Sequence, residues 1–356
     1  MPISNHSYFI ERRNRLRESC RSKKVQGYLT FDFADVYYLT DFPSEGCFQL
    51  TALSGDYLFS PLLLYSHAQH HAGPLSHLNV ITERSLLKAL ESVFKKNHLT
   101  RIGFDSSKVT LSLYRSLTAF KGIQWVPLDG FVLAQRTIKD ELELKYISEA
   151  CHITHSASQW CFKNLKIGES ELETAKKLEN AFYKRGSHKL AFETIVAFGD
   201  HSAFPHHVVS QKKLTKSTAV LMDLGCSIER YCSDLTRTAY FGKITPKFNK
   251  IYNIVKKAQQ AGIDAVQAGV TAGKIDAICR EVISKEGYGD YFTHGTGHGV
   301  GIDIHEPPRL GMQSPEILKE GMVVTVEPGI YLPNEFGVRI EDSLLVKKNG
   351  FEILTK

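Results

Sequence analysis

No two cysteines in this chain stand at CxxC spacing, and the seven present (Cys20, Cys47, Cys151, Cys161, Cys226, Cys232 and Cys279) form an odd set. That excludes a disulfide framework and fits free thiols in a reducing compartment, so a cytoplasmic location is expected. Long apolar runs are also missing. The strongest, residues 58–65, contains Pro61 and falls far short of the ~20 residues that span a bilayer. The N-terminal stretch MPISNHSYFIERRNRLRES is charged and lacks the apolar centre of a secretion signal. A net charge of +6 is modest for 356 residues, and the Lys and Arg residues are scattered among acids. Neither a nucleic acid nor a membrane is therefore an expected partner. Short-period repeats and low-complexity tracts are absent.

What the chain does have is length enough for two cores, since a single core usually stops growing near 250–300 residues. Its character changes near residue 135. Before that point, short apolar runs at 26–31, 57–59, 102–104 and 123–126 alternate with helical patterns at 8–21 and 86–94, which is the signature of an α/β domain. Domains are thus expected at 1–133 and 134–356. The second opens on a helix over 138–164 whose first turn is acidic (Asp140, Glu141, Glu143). A capping box at Ser170 and Glu173 predicts another helix to near Gly186. Thr245-Pro246 predicts a third ending near Gly269, and Thr271 a fourth ending near Gly287.

Between and after these helices come five side chains of metal-ligand type: Asp223 and Asp234 in MDLGCSIERYCSDLTRT, His298 in HGTGHGVG, Glu327 in VTVEPG and Glu341 in VRIED. Four carboxylates and one imidazole make a hard, oxygen-rich set suited to two divalent ions, Mn(II) foremost and Co(II) or Fe(II) next. Spacing supplies a geometry. Asp223 and Asp234 are equidistant from a turn centred between Ile228 and Glu229, and Glu327 and Glu341 are equidistant from Asn334 in the turn Pro333-Asn334-Glu335. Two hairpins would each present a carboxylate pair on one face, a few ångströms apart. A lone Asp or Glu in a strand usually lies on the wet face. Here the acids sit inside apolar stretches, where like charges destabilise each other unless a cation lies between them.

Other residues invite sharper or blander readings. Gly295, Gly297, Gly299 and Gly301 interleave with histidines, permitting tight turns and close approach around His298. The stretch lacks GxGxxG spacing and a following amphipathic helix, so it is not a nucleotide loop. His67, His70, His71 and His77 have no accompanying acid or cysteine and read as a solvated loop or an interface rather than another metal site.

The ordered motifs D-x-G, S-D-x-T-R-T, H-G-T-G-H-G-V-G followed by H-E-P-P, V-E-P-G-I-Y and V-R-I-E-D resemble the pita-bread metallopeptidases, in the branch of Xaa-Pro aminopeptidase and Xaa-Pro dipeptidase. YYLTDF at 37–42, RIGFD at 101–105 and QRTIKDELE at 135–143 are similar to that branch's N-terminal domain, so most of the chain is covered. The fold this implies is an α/β N-terminal domain of creatinase/prolidase type followed by an α+β pita-bread catalytic domain. The resemblance implies that Asp223 binds one metal, Asp234 and Glu341 bridge two, and His298 with Glu327 completes the second. It implies that a water held between the ions is the nucleophile and that Glu327 takes its proton. His305 would stabilise the oxyanion and His206, in SAFPHH, would contact the substrate. His207 reads as a spare polar side chain. Arg339, His294, Thr236 and Glu306 would support the ligands from behind. Manganese and a homodimer are further implications.

The leading expectation is an aminopeptidase that releases the first residue from peptides with proline second. An Xaa-Pro dipeptidase has the same site and is the alternative. Methionine aminopeptidase does not explain the preceding domain, and creatinase-like hydrolases lack the metal set. A non-catalytic pita-bread binding module, the reading from another class, would be expected to lose ligands, and none is missing.

Overall fold

The computed structural model describes residues 5–72 and 77–356, so the first four residues of the charged N-terminal stretch lie outside it. The chain divides into two compact units, Met1–Arg136 and Thr137–Lys356. Among the described residues, no helix is long and apolar enough to cross a membrane, and all seven cysteines are free and buried.

The first unit runs α1 (Asn5–Ser22), β1 (Gly27–Thr30), α2 (Phe33–Thr40), β2 (Phe48–Ala52), β3 (Gly55–Phe59), α3 (Tyr65–Ala72), β4 (Leu78–Ile81), α4 (Leu86–Lys96), β5 (Arg101–Phe104), α5 (Leu111–Thr118), β6 (Gln124–Pro127) and α6 (Leu133–Arg136). Its strands form one mixed sheet in the order β4-β3-β2-β1-β5-β6. The pairs β1–β5, β5–β6 and β3–β4 are parallel, and the hairpin β2–β3 is antiparallel. Leu90, Val93 and Phe94 of α4 pack with Leu29, Leu50 and Ile102 of the sheet to make its core. Three residues of the histidine cluster, His67, His70 and His71, lie on α3 rather than in a loop. His67 and His71, one helical turn apart, both lie against the Phe42 ring.

The second unit begins with α7 (Glu141–Lys163), capped by the reciprocal Asp140–Glu143 pair, and α8 (Glu171–Lys184), capped by Ser170–Glu173. It continues with β7 (Lys189–Leu190), β8 (Ile195–Phe198), β9 (Thr218–Leu224), β10 (Cys226–Ile228), β11 (Tyr231–Cys232) and β12 (Leu235–Phe241). Then come α9 (Pro246–Asp264), α10 (Ala272–Lys285), β13 (Gly297–Gly299) and β14 (Glu306–Leu310). β15 (Val323–Val326), β16 (Gly329–Leu332), β17 (Phe336–Arg339), β18 (Asp342–Lys347) and β19 (Gly350–Ile353) close the chain. Helix α9 stops five residues before Gly269. Beyond it the amides of Ala268 and Gly269 bond to the carbonyls of Lys347 and Leu318 instead of continuing the helix.

Antiparallel sheets, β12-β9-β8 and β14-β13-β15-β18-β19, carry the ligands, and helices bury the outer faces. Ile251, Val255 and Ala258 of α9 and Ile275, Cys279 and Ile283 of α10 pack on Val324, Val326, Leu344 and Val346. Leu178 and Phe182 of α8 and Ala157 and Cys161 of α7 pack on Val196, Val220 and Met222. Each fully buried aliphatic side chain of this kind contributes about 1.5–3 kcal/mol. An α/β first unit and an α+β second unit are thus the fold class of this chain.

Candidate metal centre

The second carboxylate pair is set by an unbroken register. Gly329 to Leu332 pair with Arg339 to Phe336, and Val323 to Val326 pair with Leu345 to Asp342, so Glu327 and Glu341 fall opposite each other between the two ladders. Asn334 takes the left-handed conformation at the turn, with φ of 61°.

The first pair departs from expectation. The ladder pairs Ile228 with Tyr231 and Asp223 with Thr236. The turn is therefore Glu229-Arg230, both with positive φ (43° and 64°) as a two-residue hairpin loop of this hand requires. Ile228 is β-branched and buried, so it stays in the strand and the turn shifts one position along the chain. The pairing shifts by two residues, which keeps parity: Asp234 sits diagonal to Asp223 on the same face instead of opposite. Gly225 faces Asp234's neighbour, and a Cβ there would lie 2.2 Å from the Ser233 carbonyl oxygen.

His298 is delivered by β13, wedged between β14 and β15. The glycines around it are not in left-handed turns. They are thinned for contact: a Cβ on Gly297 would lie 2.1 Å from the Thr325 carbonyl oxygen, and one on Gly299 2.2 Å from that of Pro307. Asp276 on α10 anchors this segment by accepting from the Thr296 amide and hydroxyl, both at 3.0 Å.

Around these ligands the contacts are short. His298 Nε2 lies 3.3 Å from Glu327 and 3.5 Å from Asp234. Ligand atoms of Asp234, His298 and Glu341 all fall within 4.8 Å of one another. His298 Nδ1 donates to the Gly299 carbonyl at 3.0 Å, which leaves the Nε2 lone pair of the neutral ring facing two carboxylates. Only a proton or a cation makes that arrangement favourable. Asp223 is held through Arg339, whose Nη2 lies 2.5 Å from Oδ2. Arg339 Nη1 donates to the Tyr331 hydroxyl at 2.7 Å, and that hydroxyl lies 2.8 Å from His294 Nε2. His294 Nδ1 donates to the Gly295 carbonyl, so its Nε2 accepts from Tyr331. Thr236 donates to Glu341 Oε2 at 2.7 Å and accepts from Arg339 Nε.

Burial pushes the carboxyls of Asp234 and Glu341 well above the usual range, and their neighbouring carboxylates add to it. Asp223 is also raised by burial, with Arg339 opposing. Burial would raise Glu327 as well, but the hydrogen bond and charge of His298 outweigh it and hold Glu327 low, while the same contact lifts His298 to about 9 against its own desolvation. Were all four carboxyls ionised, the Arg339 guanidinium and the His298 imidazolium together would still leave two negative charges uncompensated. Several kcal/mol per buried ion is a large part of a domain's ~5–15 kcal/mol stability. Two buried oxygens, Asp223 Oδ1 and Glu341 Oε1, have no hydrogen-bond partner. Unpartnered carboxylate oxygens, excess negative charge and an imidazole lone pair aimed at the same place fit divalent cations.

Of the remaining expected residues, His305 lies exposed with its ring 4.4 Å from that of His298 in an edge-on arrangement. Partial desolvation of the ring, then the charge of His298, lower its pKa. His206 is exposed, on the segment after β8. A proton on it would disfavour protonation of His294 and His305, and the preceding Pro205 carbonyl accepts from Arg339 at 3.3 Å. Glu306 is turned to another task, a buried ion pair with Lys139 at 2.8 Å. Two contributors are not evident from sequence alone. Tyr331 joins Arg339 to His294, and its position four residues after Glu327 in a paired hairpin was the available signal. Thr325 donates to Glu327 and accepts from the His298 amide, two residues before Glu327 on the same strand face.

Comparison with known proteins places this geometry. Residues 145–348 match Metallopeptidase family M24, and residues 12–138 match the Creatinase/Prolidase N-terminal domain. The chain is 37% identical over 325 residues to an Xaa-Pro dipeptidase of Pyrococcus horikoshii, covering 90% of each chain. An Xaa-Pro dipeptidase structure from Bacillus anthracis superposes with a TM-score of 0.93 at 33% identity, covering 98% of both chains. An X-Pro aminopeptidase structure from Thermotoga maritima gives 0.89 at 30% identity, covering 97% of both. The chain belongs to metallopeptidase family M24 and is a peptidase with a creatinase/prolidase-type N-terminal domain.

Proposed function

We propose that this peptidase hydrolyses Xaa-Pro dipeptides. The expectation from sequence ranked Xaa-Pro aminopeptidase first. The relatives reverse that order, because the P. horikoshii protein, similar over nine-tenths of both chains, is an Xaa-Pro dipeptidase, as is the B. anthracis structure. That whole-length similarity is the observation that carries the choice. The T. maritima neighbour keeps the aminopeptidase as the second reading.

Asp223, Asp234, His298, Glu327 and Glu341 would hold two divalent cations. Their oxygen-rich donor set with a single imidazole favours Mn(II), then Co(II) or Fe(II). Bound there, the cations supply Lewis acidity, lowering the pKa of water toward neutrality and polarising a carbonyl. The side chains do the rest. Glu327, whose carboxylate lies 3.3 Å from His298 Nε2, takes the proton of the attacking water. His305, its ring 4.4 Å from that of His298, donates an N–H to the carbonyl oxygen as charge develops there. His206, exposed and with no hydrogen bond to its ring among the described residues, contacts the substrate near the scissile bond. Arg339, Tyr331 and Thr236 fix the carboxylates of Asp223 and Glu341.

Seven free cysteines support a cytoplasmic location, and family resemblance supports a homodimer, which light scattering on the eluting protein would check. The decisive assay incubates Mn-loaded protein with Ala-Pro and with Ala-Pro-Ala. Cleavage confined to the dipeptide is the expected result. Equal cleavage of the tripeptide would establish the aminopeptidase, and inertness toward both would sink the Xaa-Pro reading.

A further inference from the structure

Outside the metal centre, one carboxylate gathers more donors than any catalytic group. Glu171, the first residue of α8, is fully buried. Its Oε1 accepts from the Phe198 amide at 2.9 Å and lies 2.9 Å from His201 Nδ1. Its Oε2 lies 2.8 Å from His207 Nε2 and accepts from the Ser210 amide at 3.1 Å and hydroxyl at 2.6 Å. The His201 and His207 rings pack 4.5 Å apart. Two amides of the helix's first turn bond back to the same segment, Glu171 to the Lys212 carbonyl and Leu172 to that of Ser210. Burial pushes the Glu171 carboxyl up, yet these donors bring it below its usual value, so it stays ionised.

Glutamate and two histidines with ligand atoms within 4.8 Å also form a metal-type group. The contrast with the metal centre argues for a different task. There, Asp223 Oδ1 and Glu341 Oε1 are buried without partners. Here both oxygens of Glu171 are filled by amide, hydroxyl and imidazole donors, which leaves no vacancy for a cation. What those donors have in common is the segment they come from. Phe198, His201, His207 and Ser210 bracket His206 on both sides. From the other side, the Gly337 amide donates to Ser202 Oγ at 2.8 Å, and Arg339 donates to the Pro205 carbonyl. His206, like Phe204 and Val208, is thus an exposed residue of this segment, and the chain is clamped immediately before it by Arg339 and immediately after it by Glu171.

We propose that Glu171 is a positioning residue for the peptidase reaction: its buried carboxylate fixes residues 198–210 and so holds His206 beside the metal-type cluster. His207 and His201 are latches to that carboxylate. The proposal rests on the reading that His206 contacts the substrate. A residue displaced by about 1 Å costs on the order of 10²-fold in rate.

The test is a double-mutant cycle on the Mn-loaded protein with Ala-Pro, comparing Glu171→Gln, Glu171→Ala, His206→Ala and the Glu171→Gln/His206→Ala pair. Bound metal and thermal midpoint are measured on each. Glu171→Ala should lower kcat/KM by roughly 10²-fold, and Glu171→Gln, which keeps one acceptor oxygen, by less, with metal content unchanged. The double variant should be no worse than His206→Ala, because Glu171 acts through His206. Losses that multiply, or full activity in both Glu171 variants, overturn the positioning role. An impaired Glu171 variant beside a fully active His206→Ala overturns instead the reading of His206. Should both Glu171 variants fail to fold, Ser210→Ala removes only the shortest contact; a smaller loss, absent in the His206→Ala background, supports the proposal, and an unchanged kcat/KM refutes it.

Discussion

Arg339 touches a metal-type ligand, a phenol and a hydroxyl at once, and its removal would release all three. Its guanidinium pairs with Asp223, donates to Tyr331 and donates to Thr236. Tyr331 passes the contact on, since its own hydroxyl hydrogen goes to His294. Replacing Tyr331 by Phe deletes only that oxygen and leaves the ring packed. Groups that orient metal ligands from behind are typically worth 10–100-fold. Tyr331→Phe should therefore lose about 10–100-fold in kcat/KM or metal affinity, with an unchanged thermal midpoint of the metal-free protein as the sign that the fold is intact. Glu327 is a sharper case. Glu327→Gln keeps the shape and removes the base and one anionic ligand, so hydrolysis should fall by at least 10²–10⁴-fold while circular dichroism is unaltered. Activity near that of the parent would exclude Glu327 from the proton transfer.

At the level of elements, the hairpins show what residues 218–241 and 322–347 disclose in advance and what they withhold. Glu327 and Glu341 could be paired from sequence because Asn334 marks the turn and apolar runs flank it evenly. Asp223 and Asp234 could be placed on one face but not in register, because two charged residues, Glu229 and Arg230, adopt positive φ where Asn or Gly would have announced the turn. The capping boxes at Asp140 and Ser170 located α7 and α8 well, since those contacts are local. The end of α9 was hidden because its competitors, the carbonyls of Lys347 and Leu318, come from far along the chain. The role of Glu171 is hidden for the same reason, since its donors lie at 198–210, well beyond its own helix. Strand β13 is tightly constrained. Gly297→Ala would drive a Cβ into the Thr325 carbonyl and displace the neighbouring His298. A cost of about 1–3 kcal/mol and a large loss of activity should follow. Gly311→Ala, whose Cβ would meet nothing within 4 Å, should stay within about 0.5 kcal/mol of the parent. Equal midpoints for the two variants in denaturant melts would show that β13 tolerates separation from β15.

Across the whole molecule, the metal centre stores a dependence of stability on pH whose sign depends on whether cations are bound. In the metal-free fold, burial raises Asp234 and Glu341 well above the usual range and raises Asp223, so these groups hold protons that the unfolded chain has released above about pH 4. His298, raised to about 9, likewise holds a proton that an unfolded histidine loses near 6.5. From about pH 5 to 9 the folded state therefore binds more protons than the unfolded state, and stability must fall as pH rises. Glu327, held low, acts in the opposite direction, but its stabilising contribution is already complete above the ordinary carboxylate range, and His294 and His305, both lowered, oppose the trend only up to about 6.5. Divalent cations replace those protons and remove the penalty. Each site at a hundred times its Kd adds about 2.7 kcal/mol, and binding must release protons. The thermal midpoint of chelator-treated protein should accordingly decline from pH 5.5 to 8.5. Addition of Mn(II) should raise it more at the upper end than at the lower and acidify a weakly buffered solution. A metal-free midpoint that climbs over that interval would mean that the carboxylates are compensated by something other than protons or cations, and the dinuclear reading of Asp223, Asp234, His298, Glu327 and Glu341 would fall with it.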